Sequence, residues 1–149
     1  MQVRYSALII GLLFLILGIA GFVPMFVSIP NSSIAAPIDA PNILNTGYGY
    51  LLGLFPTNYL HNAVHIAVGV LGIAVFTSFG GSVTFLRLFA ITYAALSFLG
   101  LFPLSNIVFD TMPIFGNNVW LNAVSAAVAA YYGFVKPANI HNIGSPSGA

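Results

Sequence analysis

Long apolar runs without charged side chains constrain this chain more than any other feature. Residues 5–26 contain no Asp, Glu, Lys or Arg, and about 20 apolar residues in a helix span the roughly 30 Å hydrocarbon core of a bilayer. Charged residues make up 3% of the 149 positions and hydrophobic residues 59%, whereas soluble domains carry about 25% charge. The sequence therefore predicts an integral membrane protein in contact with the lipid bilayer.

Four apolar runs are separated by residues that break helices. We expect an all-α fold, an integral membrane four-helix bundle that forms a single domain over residues 1–149. The predicted helices cover about residues 5–26, 58–79, 85–102 and 118–135. Two outer loops, 27–57 and 103–117, and a polar cytoplasmic tail, 136–149, complete the chain, and Gly80-Gly81-Ser82 is predicted to end the second helix in a turn.

An internal repeat relates the second and fourth helices. Residues 57–69 resemble residues 117–129, and the matched pairs include Asn58/Asn118, Asn62/Asn122, Ala63/Ala123, Val64/Val124 and Ala67/Ala127. The pentapeptide Leu-Gly-Leu-Phe-Pro also occurs twice, at 52–56 and 99–103. The repeat predicts two tandem helical hairpins related by a parallel duplication, with a pseudo-twofold axis along the membrane normal.

The few charged residues predict an orientation. Arg4, Arg87 and Lys136 precede helix 1, separate helices 2 and 3, and follow helix 4, so all three fall on one side of a four-span bundle. Asp39 and Asp110 fall on the other side. The excess of positive charge on cytoplasmic loops then predicts that both termini are cytoplasmic.

Polar residues recur along one face of helices 2 and 4. Steps of three and four residues place them together, and we expect them to form a structural seam inside the bundle. We expect Asn62 and Asn122 to meet across the pseudo-twofold axis, because an unpaired amide in hydrocarbon is costly. The seam residues are Asn58, Asn62, Asn118, Asn122 and Ser125.

His61 and His65 are the strongest candidates for ligand binding, since their spacing of four residues puts them on one helix face. Zinc would need further ligands, and the chain contains no Cys and only two acidic residues, so no metal site is predicted. A single imidazole suffices as axial ligand to a haem iron or a chlorophyll magnesium. The alternative is that both histidines only form hydrogen bonds inside the bundle.

Three functional hypotheses follow, and none is enzymatic, because no catalytic set of nucleophile, base and acid is recognisable. The first is an accessory, structural or assembly component of a larger membrane complex, or a homo-oligomer. The alternative is a chlorophyll- or haem-binding protein that uses His61 or His65; a third is an oligomeric small-solute transporter or channel. Without a basic cluster, nucleic-acid binding is not expected.

The segment Leu51-Leu-Gly-Leu-Phe-Pro-Thr-Asn-Tyr-Leu-His-Asn-Ala-Val-His65, followed by Gly69, resembles the signature of an uncharacterised bacterial family, domain of unknown function 4383. The resemblance covers about residues 5–135. It implies a small four-helix membrane protein of the inner membrane, or of the thylakoid membrane in a cyanobacterium. The fourth helix of that family often opens with Asp-Asn-x-x-His, whereas Asn117, Asn118 and Leu121 occupy these positions here.

Overall fold

The computed structural model describes residues 1–29, 47–105, 107–108 and 111–137, and these residues are mostly helical. They form four helices, α1 (Gln2–Ala20), α2 (Tyr59–Val75), α3 (Phe79–Leu99) and α4 (Asn117–Ala130), and α4 continues as a π-helical turn at Tyr131–Val135. Of the described helices, α1 and α3 are long and apolar enough to cross a membrane, with 19 and 21 residues. At 1.5 Å per residue they are about 28 Å and 31 Å long.

The prediction of an all-α fold was incomplete, because the connections also contain small antiparallel sheets. The first sheet has the order β1-β2-β3 and the second consists of β4 and β5. The strands are β1 (Val27–Ser28), β2 (Gly49–Leu51), β3 (Phe55–Thr57), β4 (Ile107–Val108) and β5 (Met112–Pro113). Prolines in these connections prevent helix continuation, and short ladders supply partners for backbone groups that would otherwise be unsatisfied.

The helix boundaries differ from the predicted ones at several ends. The first helix ends at Ala20 and is followed by a short 3-10 turn, Pro24–Phe26. The third helix begins at Phe79, because the Ser78 hydroxyl accepts from the Gly81 amide at 3.2 Å. Residues 80–82 therefore lie inside α3 and not in a turn. Predicted outer-loop residues 30–46 and the tail from 138 onward lie outside the described residues.

Close packing at small residues holds α1 against α2. A Cβ atom added at Gly69 would lie 2.5 Å from the Leu15 amide nitrogen, and one at Gly11 would lie 2.9 Å from the Gly69 carbonyl oxygen. Without side chains at these positions, the two helix backbones approach closely enough for extensive van der Waals contact. The most extensive helix contacts in the described structure are those of α1 with α2 and of α3 with α4.

Aromatic residues fill the space between the two helix pairs. Phe14 on α1 is fully buried, and its ring meets those of Phe89 and Tyr93 on α3 edge-on, with centroids 5.1 and 4.9 Å apart. Phe89 and Tyr93 stack on each other at 3.9 Å. Edge-to-face and stacked pairs add to the energy of area burial, so this cluster joins the two pairs into one core.

Two arginines make equivalent contacts in the two halves. The Arg4 Nε donates to the Phe76 carbonyl at 2.7 Å, and the Arg87 Nε donates to the Gly133 carbonyl at 2.8 Å. Each acceptor lies at the end of the second helix of its pair, where carbonyl groups lack helical partners. Each guanidinium also lies about 5 Å from an aromatic ring, that of Phe76 or of Phe134.

The repeated pentapeptide does not have a repeated structure. At 52–56 it forms the turn between β2 and β3, with positive φ angles of 54° at Leu52 and 71° at Gly53. At 99–103 it ends α3 and enters the following turn. Identical five-residue sequences thus adopt different conformations according to the tertiary contacts around them.

We predict that Gly69→Ala destabilises the fold by about 1–3 kcal/mol, because the new methyl group would overlap the α1 backbone. The matched control is Gly80→Ala, whose Cβ would meet nothing within 4 Å and which should be neutral or slightly stabilising. Chemical unfolding of both variants in detergent micelles, followed by circular dichroism, measures the difference. Equal stability of the two variants would contradict this packing.

Candidate functional site

A cluster of buried polar residues lies at the end of the molecule where the two small sheets meet the first turns of α2 and α4. Its members are almost inaccessible, with 0% exposure at Asn58 and Asn62 and 6% at His65. The cluster contains every site residue predicted from the sequence near this end. Its described members are Asn58, His61, Asn62, His65, Asn118 and Asn122.

His61 and His65 contact each other directly. Their Nε2 atoms are 3.0 Å apart, and the rings are perpendicular at 88° with centroids 4.3 Å apart. One ring therefore donates its Nε2 proton to the other. The spacing of four residues on α2 places the rings one above the other on the buried face.

A small, partly open cavity of about 10 Å³ adjoins the two histidines. This volume holds the centre of one atom of water size and nothing larger. Its lining comes from three parts of the chain, namely α2, α3 and the segment that leads into α4. The lining residues are His61, Val64, His65, Tyr93, Leu96, Met112, Ile114 and Asn122.

Asn58 and Asn118 link the two halves through backbone carbonyls. Asn58 caps α2 by accepting from the His61 amide at 2.8 Å, and its Nδ2 donates to the Thr111 carbonyl. Asn118 donates through Nδ2 to the Pro56 carbonyl at 2.7 Å and to the Pro113 carbonyl at 3.1 Å. Each asparagine thus bonds an extended segment that belongs to the opposite half.

Asn62 has a different role from the expected pairing with Asn122. Its Oδ1 accepts from the Thr57 hydroxyl at 2.5 Å, and its Nδ2 donates to the Gly21 carbonyl at 2.7 Å. It therefore ties the start of α2 to the end of α1. In the described part of the chain no hydrogen bond joins it to Asn122, which lines the histidine cavity instead.

The remaining predicted seam residue, Ser125, is buried on α4 with 7% exposure. Ser97 on α3 donates to the Val119 carbonyl at 2.9 Å and so ties α3 to α4. Asn58 and Gly116 occupy the N-cap positions of α2 and α4.

Sequence reasoning did not identify Met112 and Tyr93 as neighbours of the histidines. Tyr93 lies on α3, and Met112 lies on β5 in the second connection. Neither residue has a sequence spacing that relates it to α2. Met112 approaches the histidines only when β5 folds over the start of that helix, and Tyr93 only when α3 packs against it. The sequence indicates which residues of α3 are buried, but it does not indicate how α3 is aligned along α2.

No group of three His, Cys, Asp or Glu side chains is close enough to hold a metal ion within the described ranges. A tetrapyrrole ring needs a slot beside an axial imidazole, and the space beside His61 and His65 is far smaller than a macrocycle. In this arrangement the two histidines pair with each other and lie at one side of the polar cluster.

The comparisons with known proteins give one match. The family model described as "Domain of unknown function (DUF4383)" matches residues 4–135, which is most of the chain. No curated protein and no solved structure matches.

We predict that Asn118→Ala destabilises the protein strongly, by about 2–4 kcal/mol, because it leaves two buried carbonyls without a donor. The neighbouring Asn117 is exposed and makes a single bond to the Leu54 carbonyl at 3.1 Å, so Asn117→Ala should cost under about 1 kcal/mol. Unfolding of the two variants in the same detergent compares them. A similar decrease in the free energy of unfolding of both variants would contradict the larger contribution expected of the buried Asn118.

Proposed function

The chain belongs to the DUF4383 family, whose domain has no known function, and from that premise we propose that it is a non-enzymatic multi-pass membrane protein. In this proposal it acts as an accessory or assembly component of a larger membrane complex. The single observation that carries the proposal is the distribution of polarity: the helices expose apolar side chains on the outside, while the uncharged polar side chains are buried, most of them at one end of the bundle.

The outer surfaces of all four described helices are apolar. Large hydrophobic side chains on them are about half exposed or more, and such a continuous surface is unfavourable in water but suits lipid tails. Examples are Ile9 and Ile16 on α1, Val70 and Leu71 on α2, Leu88 and Ile91 on α3, and Trp120 and Val124 on α4.

The buried polar groups support a structural role for the interior. Asn58, Asn62 and Asn118 use their side-chain amides to bond backbone carbonyls. An asparagine whose donors and acceptors are already paired with the protein stabilises the fold and is not free to act on a substrate. This favours a non-enzymatic protein.

A groove between α3 and α4 favours a partner helix. It encloses about 410 Å³ and is lined largely by alanines, including Ala94, Ala123 and Ala127, with Phe98 and Leu101 at one end. Small side chains let another apolar helix approach closely, as α1 and α2 do within this chain. We assign this groove to a transmembrane helix of a partner protein.

The orientation proposed from the positive-inside rule is compatible with the positions of the described cations. Arg4 lies near the start of α1 and Lys136 follows α4, at the end opposite the sheets. Arg87 was expected between helices 2 and 3 but lies inside α3, from where it reaches the end of α4 through the Gly133 carbonyl. Both termini would then be cytoplasmic, and the polar cluster would lie near the outer surface.

The two alternatives have less support. A tetrapyrrole held by His61 or His65 would require the cavity of about 10 Å³ to open by far more than side-chain rotation allows. A transport path through the centre of one chain would have to pass the aromatic core of Phe14, Phe89 and Tyr93, so an oligomeric transporter or channel would need its path between chains. A purified protein that shows a Soret or Q band lost on substitution of both histidines would restore the first alternative.

We predict that the protein extracted from native membranes in mild detergent migrates with a mass well above one chain of 15.7 kDa plus its micelle. Ala94→Leu fills the groove and should reduce this assembly to the free chain. The matched control is Ala95→Leu, since Ala95 is also exposed on α3 but does not line the groove. A free chain in the unmodified protein, an assembly of this chain alone, or equal effects of both variants would contradict the proposal.

We predict that single cysteines at Leu54 and Leu104 react with a membrane-impermeant maleimide from outside, whereas cysteines at Phe79 and Lys136 react only after permeabilisation. The native chain has no cysteine, so each variant reports one position. Leu54 and Leu104 lie at the sheet end, and Phe79 and Lys136 at the opposite end. Labelling of Leu104→Cys and Lys136→Cys from the same side would exclude the proposed topology.

A further inference from the structure

We propose that the small cavity beside His61 and His65 binds one cuprous ion, held by the Nε2 atoms of both histidines and the thioether sulfur of Met112. This site is independent of the proposed membrane assembly. It arises because β5 places a methionine against the histidine face of α2.

The two imidazoles have the separation that a chelated ion needs. Bonds of about 2.0–2.1 Å from a metal to imidazole nitrogen place two nitrogens about 3.3 Å apart in tetrahedral geometry. The observed Nε2 separation is 3.0 Å, so a shift of a few tenths of an ångström suffices. When the ion binds, the ring that carries its proton on Nε2 changes tautomer and carries it on Nδ1, so both imidazoles stay neutral and both Nε2 lone pairs are free for the ion.

Met112 provides the third donor and sets the type of metal. Its side chain lines the same cavity as the two histidines and comes from β5 rather than from α2. Thioether sulfur is a soft ligand that selects Cu(I), and imidazole also binds copper well. A cavity of about 10 Å³ has room for a single atom, which suits an ion of this kind without any larger ligand.

The charge of the site favours a monovalent ion. Two neutral imidazoles and a thioether carry no charge, and no carboxylate occurs among the described residues that line the cavity. The cost of burying an uncompensated charge is large and increases with the square of that charge. Zn²⁺ also requires a fourth ligand or an anionic ligand, and this site provides neither. The site therefore discriminates against zinc.

The surroundings of His61 fit a ligand role. Its Nδ1 is buried and has no hydrogen-bond partner, while the Pro113 carbonyl lies beside the ring. When both Nε2 atoms bind the ion, the remaining proton of each imidazole must lie on Nδ1. A histidine that binds a metal usually donates its other ring N–H to a carbonyl, a carboxylate or water. The Pro113 carbonyl beside the ring would be the acceptor for the His61 Nδ1–H, a bond that is not formed without the ion.

The experiment is an anaerobic titration of the purified protein in detergent with Cu(I), in the presence of a chromophoric Cu(I) chelator as competitor. X-ray absorption at the copper edge of the loaded protein reads out the ligands. The variants are His65→Ala and the nearly isosteric Met112→Leu, and the matched control is Met25→Leu, because Met25 is 83% exposed and does not line the cavity. Circular dichroism and gel filtration verify that each variant is folded.

We expect one Cu(I) per chain, with a sulfur scatterer at about 2.3 Å, the length typical of metal–sulfur bonds. His65→Ala should abolish binding, and Met112→Leu should remove the sulfur signal and weaken binding by about tenfold or more. Met25→Leu should bind as the native protein does. If His65→Ala does not fold, Met112→Leu alone decides.

Three results would overturn the proposal. The first is the absence of Cu(I) binding in competition with the chelator, which would leave a water molecule as the occupant of the cavity. The second is unchanged binding in folded Met112→Leu. The third is Zn(II) binding at the same site as tightly as Cu(I). None of these results depends on whether the protein joins a larger assembly.

Discussion

Side-chain amides that bond backbone carbonyls across the two halves are the interaction on which the rest of the structure depends. Asn58 reaches the Thr111 carbonyl, and Asn118 reaches the Pro56 carbonyl. Buried carbonyls of short extended segments need donors, and only a long polar side chain from the neighbouring half can supply them here. The sheets, the starts of α2 and α4 and the histidine pair are all held by these bonds.

Below this polar end the two halves are joined mainly by apolar contact, together with a hydrogen bond from the Ser82 hydroxyl on α3 to the Val75 carbonyl on α2. Phe14, Phe89 and Tyr93 fill the centre, and glycine positions let α1 lie close against α2. Between α3 and α4 the small residues are alanines, and a groove remains open at the surface. The two hairpins therefore differ in packing: α1 and α2 are closed against each other, whereas α3 and α4 leave a groove at the surface.

Much of the fold was accessible from the sequence because apolar periodicity and breaker residues determine where helices form. The four helices were predicted, and the family resemblance is confirmed over residues 4–135. The helix ends were less accurate. By composition, the Gly80-Gly81-Ser82 segment is typical of a turn. The Ser78 hydroxyl nevertheless caps α3 before this segment. This cap offsets part of the low helix propensity of the two glycines.

The candidate site was predictable only as a list of residues on helix faces. His61 and His65 at a spacing of four had to share a face, and their direct contact follows from that spacing. Met112 could not be foreseen, because its position depends on strand pairing between Val108 and Met112 and on the packing of that hairpin over α2. The equivalent arginine contacts at Phe76 and Gly133 also required the tertiary arrangement.

The account requires that the helix surfaces face lipid while the amides face inward. The most direct measurement is electron paramagnetic resonance of a spin label at Ile91→Cys in a reconstituted bilayer, since Ile91 is 62% exposed in α3. The account predicts frequent collisions of the label with molecular oxygen and few with a water-soluble nickel chelate. Collisions with the nickel chelate as frequent as those of a label in the aqueous phase would contradict it.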